Sequence, residues 1–298
     1  MKKSKILILI VALIVIAGGT GYGCYRWYSL KELNKEQIKI SDYIEYTDLA
    51  SENTAQVNWK YVAAIIGVIE NNNFEKATTN EIKEVAKMFV NDKHKLNSLD
   101  KVLDKIGFSK SEKQRTYNYI EDLKYYGLTP SKLESDSEYI KFIESIKEGA
   151  TTNYKKYKIL PSITIAQAIL ETGWGQSELA SKYNNLFGIK ADKFWKGEFV
   201  TLETKEFSGT VINDKFRKYK DKDQSIYDHA KFLYENKRYR ENGVFESNTY
   251  KYQANALQEA GYSTLMNDMG EKIYAKQLIQ LIQQYNLQLI DNEAQGQK

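Results

Sequence analysis

The chain has 298 residues but only one cysteine, two prolines and two histidines, and its net charge is just +4. The single thiol, Cys24, cannot form an internal disulfide, and no later cysteine is present to serve a Cys–His hydrolase. His94 and His229 stand far apart without cysteines near them, which excludes a zinc-finger spacing. No Gly-rich phosphate loop or metal motif occurs, so neither a cofactor nor a metal is expected. Lys2, Lys3 and Lys5 precede an apolar run, which leaves a net charge of +1 for the remainder. A nucleic-acid binder dominated by phosphate neutralisation carries more positive charge than that. What is there is 42% hydrophobic and 13% aromatic, enough for one large globular domain or two modest ones and too much for a disordered chain.

Residues 6–17 are unbroken apolar, and the uncharged stretch extends to Tyr25, about the length of a membrane-spanning helix. Lysines before it and Tyr22, Tyr25, Trp27 and Tyr28 at its far end predict a single-pass anchor over 6–25 with the carboxyl-terminal bulk outside the cytoplasm, on the cell-wall side. A signal peptide cleaved near Ala17-Gly18-Gly19 and a lipoprotein modified at Cys24 are the competing readings.

Behind the anchor, 1–28, residues 29–56 read as a polar stalk. Residues 57–134 follow as an all-helical accessory domain, with Trp59, Val62, Ala63, Ile66 and Ile69 at helical spacing. Capping boxes at Thr78/Glu81 and Ser109/Glu112 open two more helices. Glu70, ending an apolar helix, looks like a buried acid but has no acidic partner or aromatic platform, and reads as a helix-end carboxylate. No residue pattern decides whether this domain shapes the catalytic half, sets its height over a membrane or docks a membrane-protein partner. Residues 135–290 form a second helical region, and 291–298 a polar tail.

The chemistry is concentrated in QAILETGWG, 167–175. A helix with Ile163, Ala166, Ile169 and Leu170 on its buried side ends at Glu171, followed by Gly173, Trp174 and Gly175. Desolvation beside an indole disfavours the charged carboxylate, and the negative end of the helix dipole is a poor place for one. Such a group stays protonated near neutral pH and serves as a general acid.

That block, with KYNNLFGIK at 182–190, EFVTLETKEF at 198–207, FRKYKDKDQSIYDHAKFL at 216–233, AGY at 260–262 and IYAKQLIQLIQQYNL at 273–287, resembles the bacterial cell-wall glucosaminidases of glycoside hydrolase family 73 in order and spacing. The resemblance covers about 150–287. It implies a mainly α, lysozyme-like catalytic domain with a small β-hairpin lobe, and endo-acting hydrolysis of the β-1,4 bond after N-acetylglucosamine in peptidoglycan glycan strands. It carries the general-acid role onto Glu171, a second acidic role onto Glu206 in the T-x-E block, and a cleft-lining catalytic role onto Tyr262. Where the family usually has A-T-D-P after that tyrosine, this chain has STLMNDMG. Trp174, Asn184, Asn185, Phe187 and Trp195 are the candidate sugar-binding residues, amides for hydroxyl and acetamido groups and rings for stacking.

Strand parity tests Glu206 independently. Val200, Leu202, Thr204 and Glu206 share the more apolar face, whereas Thr201, Glu203 and Lys205 share the other. Direct or substrate-assisted hydrolysis is favoured over a glycosyl-enzyme. A muramidase or lytic transglycosylase of the same fold, and a non-catalytic wall-binding scaffold, are the alternatives.

Overall fold

In the computed structural model the described residues are 32–296, apart from 53, 92–94 and 206–210. The expected anchor, Glu206 and His94 lie outside them. No helix among the described residues is long and apolar enough to cross a membrane. The described part is mainly helical, with one two-stranded antiparallel sheet.

The amino-terminal half is built from α1 (Ile40–Ser51), α2 (Trp59–Ile69), α3 (Thr79–Met88), α4 (Leu99–Ile106) and α5 (Lys110–Asp122). α2 is central because it is apolar nearly all round, with Trp59, Val62, Ala63, Ala64, Ile65 and Ile66 fully buried. Both expected capping boxes form: the Thr78 and Ser109 side chains accept from the Glu81 and Glu112 amides while those glutamates reach back. α3 ends at Met88 and α5 at Asp122. The stalk expected over 29–56 is corrected by the packing. Leu33, Ile38, Ile40, Tyr43 and Ile44 belong to the same core as α2, so the described part of that segment is a structural layer. Its apolar residues are sparse, but α1 aligns them on one face.

The second half contains α6 (Glu138–Tyr157), α7 (Pro161–Thr172), α8 (Glu178–Tyr183), β1 (Phe199–Lys205), β2 (Val211–Arg217), α9 (Lys222–Glu235), α10 (Lys237–Glu241), α11 (Tyr250–Glu259), α12 (Tyr274–Gln284) and α13 (Gln288–Ala294). Pro161 opens α7 where its missing N–H costs nothing, and residues 161–169 are all buried. α7 is thus the axis around which the other helices pack. β1 pairs with β2 in the register Val200↔Phe216 and Leu202↔Asp214. Val200 and Leu202 are half-buried while Thr201 and Glu203 are exposed, the alternation that parity predicts for the described part of the strand.

The tail expected over 291–298 is likewise corrected. Residues 288–294 form α13, with Gln288, Asp291 and Asn292 fully buried. Asp291 accepts from the Ser162 amide at 2.8 Å and from its hydroxyl, capping α7 from another element because Leu160 offers no side-chain cap. From the other side of α13, Asn292 Nδ2 donates to the Gln56 carbonyl, and Leu289 packs on the amino-terminal core. Trp59 Nε1 donates to Asn286 Oδ1 at 3.1 Å, and Tyr250 donates to the buried Asp48. The two halves are therefore joined by buried polar contacts that leave few donors without partners.

Candidate active site

α7 ends at Thr172, and Gly173, Trp174 and Gly175 follow with φ of 54°, 66° and 77°. Three successive left-handed residues turn the chain sharply, held by Thr172 Oγ1, which accepts from the Gly175 amide at 2.7 Å. A Cβ on Gly175 would lie 2.6 Å from the Phe142 ring. Gly175→Ala is therefore expected to cost about 2–3 kcal/mol through positive φ and overpacking, read as a lowered Tm.

This turn leaves Glu171 lining a cleft of about 540 Å³. Phe187, His229, Tyr239 and Tyr262 share its lining. Among the described residues Glu171 makes no ion pair or hydrogen bond, so no cation holds its proton affinity down. Glu171 is exposed by surface area yet surrounded by protein closely enough that desolvation raises its pKa above the ordinary glutamate value. The C-terminal end of the helix dipole acts in the same direction. Glu171 has the environment of a proton donor.

Tyr262 enters from the turn after α11. Its ring stacks on Tyr274 at 5.3 Å, and its hydroxyl lies 3.3 Å from His229 Nε2. Tyr274 accepts from Gln167 Nε2 at 2.9 Å, and burial together with the nearby Glu171 charge raises both phenols well above their ordinary values. Phe187 stacks face to face on His229, centroids 3.8 Å apart.

The cleft continues beneath the hairpin into a recess of about 760 Å³, with Asp192, Arg217 and Phe232 common to both. Trp195 lies in this recess under the Arg217 guanidinium at 4.5 Å. Arg217 pairs with Asp228 at 2.7 Å, and Tyr219 donates to the same carboxylate at 2.6 Å. That network fixes the hairpin to α9.

Glu171, Phe187 and Tyr262 thus meet at one cleft, and Trp195 lines its extension. Trp174, Asn184 and Asn185 do not line that cleft. Trp174 packs between Tyr139 and Tyr285, each at 4.6 Å, on the flank of α6, because its positive φ swings the ring behind the turn. Asn184 caps α8 with positive φ and donates to the Tyr219 and Lys220 carbonyls. Asn185 is buried, donating to the Ile189 and Arg217 carbonyls and accepting from the Ile189 amide. Both amides are consumed by the loop that carries Phe187 and ties it to β2. His229, Arg217, Asp228, Tyr239 and Tyr274 were not picked out as site residues. Asp228 and His229 are adjacent in the sequence block at 216–233, and that adjacency on a helix facing β2 was the available signal.

Residues 147–287 match the family described as mannosyl-glycoprotein endo-beta-N-acetylglucosaminidase. The chain is 42% identical over 158 residues to the exo-glucosaminidase LytG of Bacillus subtilis, covering 50% of this chain and 52% of that protein. To the peptidoglycan hydrolase FlgJ of Vibrio parahaemolyticus it is 35% identical over 161 residues, 52% of this chain and 49% of that one. The chain spans about half the length of these two relatives. The crystal structure of the catalytic domain of the autolysin Auto from Listeria monocytogenes is similar at 36% identity, covering 52% of this chain and 88% of that one, with a TM-score of 0.45. Residues 147–287 accordingly belong to the glucosaminidase family, and the carboxyl-terminal half of this chain is a glycoside hydrolase domain.

Proposed function

We propose that the chain is a membrane-anchored, endo-acting cell-wall hydrolase that cleaves the β-1,4 bond after N-acetylglucosamine in peptidoglycan, with Glu171 as general acid. The observation that carries the reading is the carboxyl of Glu171, unpaired among the described residues and with its pKa raised by desolvation, in a cleft lined by aromatic rings. The names of the two relatives, a glucosaminidase and a peptidoglycan hydrolase, support the substrate class.

In this mechanism Glu171 protonates the glycosidic oxygen as the bond breaks. Glu206 is the second carboxylate, orienting either a water or the substrate's 2-acetamido oxygen for attack on the anomeric carbon. Tyr262 donates to the sugar beside the bond, and Phe187 and Trp195 offer faces along the glycan. The anchor over 6–25 holds the enzyme on the outer face of the cell membrane, and the lysines before the span support that orientation. The amino-terminal helical half braces the catalytic half, and its outer surface is where a membrane-protein partner would dock.

The test is digestion of peptidoglycan by residues 29–298, followed by reduction and mass analysis. New reducing ends on N-acetylglucosamine are expected. Reduced N-acetylmuramic acid ends would make the enzyme a muramidase, and anhydro ends a lytic transglycosylase. The continuation of the cleft past Glu171 under the hairpin supports internal cutting. Long fragments should therefore appear early in the digest, whereas release of short end products alone would make the enzyme exo-acting.

A further inference from the structure

We infer that His229 is a positioning residue: its Nε2–H donates to Tyr262 Oη, so that the phenolic proton of Tyr262 is directed away from the imidazole, toward Tyr274 and the Glu171 side of the cleft. The inference rests on the reading of Glu171 and Tyr262 as members of the reaction centre.

His229 stands on α9, 1% exposed, its plane fixed by the parallel Phe187 ring at 3.8 Å and 10°. Nε2 lies 3.3 Å from Tyr262 Oη, and Nδ1 has no hydrogen-bond partner among the described residues. Burial lowers the imidazole pKa to about 3, so the ring is neutral at physiological pH and carries one proton. That proton has two places to sit.

On Nδ1 it would be a buried donor without an acceptor, and Tyr262 would have to direct its own proton at Nε2. On Nε2 the proton is used by Tyr262 Oη, and only a lone pair faces the apolar surroundings at Nδ1. Buried N–H groups without partners are rarer in folded proteins than under-used acceptors, which favours the second form. Tyr262 then accepts from His229 and keeps its proton for another partner. The groups coupled to its hydroxyl away from His229 are Tyr274, which stands within hydrogen-bonding reach and is itself oriented by Gln167, and the cleft-lining Glu171 and Tyr239. An oriented phenol donor beside a protonated carboxyl suits the acetamido carbonyl or the oxygen of the bond being cut, both of which accept hydrogen bonds.

The chain has only two histidines, so a His94→Gln variant labelled with nitrogen-15 in its imidazole reports on His229 alone. The spectrum should be that of a neutral ring protonated at Nε2, unchanged between pH 5 and pH 8, with its Nε2 signal shifted by Tyr262→Phe. A proton on Nδ1, a ring that titrates in that range, or no response to Tyr262→Phe would overturn the inference.

In turnover assays His229→Phe, which keeps the stack but removes the donor, should lower kcat about tenfold, the weight of roughly one hydrogen bond, with KM little changed. Adding it to Tyr262→Phe should cost nothing further, and a full additional loss would mean the two act independently. The nitrogen-15 result needs no turnover. Failure of Glu171 as the acid would therefore leave it standing, and the two readings fall separately.

Discussion

Glu171→Gln is expected to lower kcat by about 10²- to 10⁴-fold while glycan binding survives, because the amide keeps the shape of the side chain and loses the transferable proton. The same chemistry fixes the pH dependence. The required form is the protonated one, and desolvation raises the pKa, so activity persists above the ordinary glutamate range and declines as pH rises through the raised value. Glu171→Gln should remove that alkaline limb. Glu203→Gln, on the exposed face of β1, and Glu70→Gln, at the end of α2 in the other half, should leave turnover nearly unchanged. Loss of cleavage in Glu70→Gln with retention in Glu171→Gln would move the active centre out of the cleft altogether.

Asp291→Ala is expected to destabilise the whole chain by about 3 kcal/mol, since it uncaps α7 and leaves the Ser162 hydroxyl and amide without partners in the core. Calorimetry should show a Tm lower by about 6–12 °C for a protein of this size. Burial pushes the Asp291 carboxyl up to about 7 from an unfolded value near 3.8. Between those values the folded state retains a proton that the unfolded state has released, so this group's contribution to stability falls as pH rises through that window. Asp291→Asn, neutral throughout, should flatten the decline while keeping one acceptor for Ser162. A truncation after Leu287 removes α13 and should be worse than either substitution. If the truncated chain melted like the full one, α13 would be a passive appendage rather than the strap between the halves.

Much of the site was legible because it is written locally. A helix that is apolar to its last turn and then reads Glu-Thr-Gly-Trp-Gly must end in a sharp turn with a carboxyl on its rim. Capping boxes at Thr78 and Ser109 depend on residues three apart, and both formed. Hairpin parity depends only on alternation, and the described faces of β1 and β2 obey it.

The residues whose placement the sequence did not reveal are those that depend on distant partners. Asn184 and Asn185 looked like sugar ligands because an amide in a loop has unused hydrogen-bonding groups on paper. In the fold those groups are taken by carbonyls 32–36 residues away on and after β2. Trp174 looked like a platform until positive φ turned it toward Tyr139 and Tyr285. His229 stands in an ordinary helical segment, and only the fold brings Phe187 and Tyr262 against it. The residues at 33–56 and 291–294 read as stalk and tail because each buries too little alone to announce a core, and together with their neighbours they complete one. Sequence alone determined the capping boxes at Thr78 and Ser109 and the glycine turn behind Glu171, since those rest on neighbours within a turn or two. Tertiary structure decided which polar groups remain free for a substrate, because a hydrogen bond satisfied across the fold leaves no trace in local pattern.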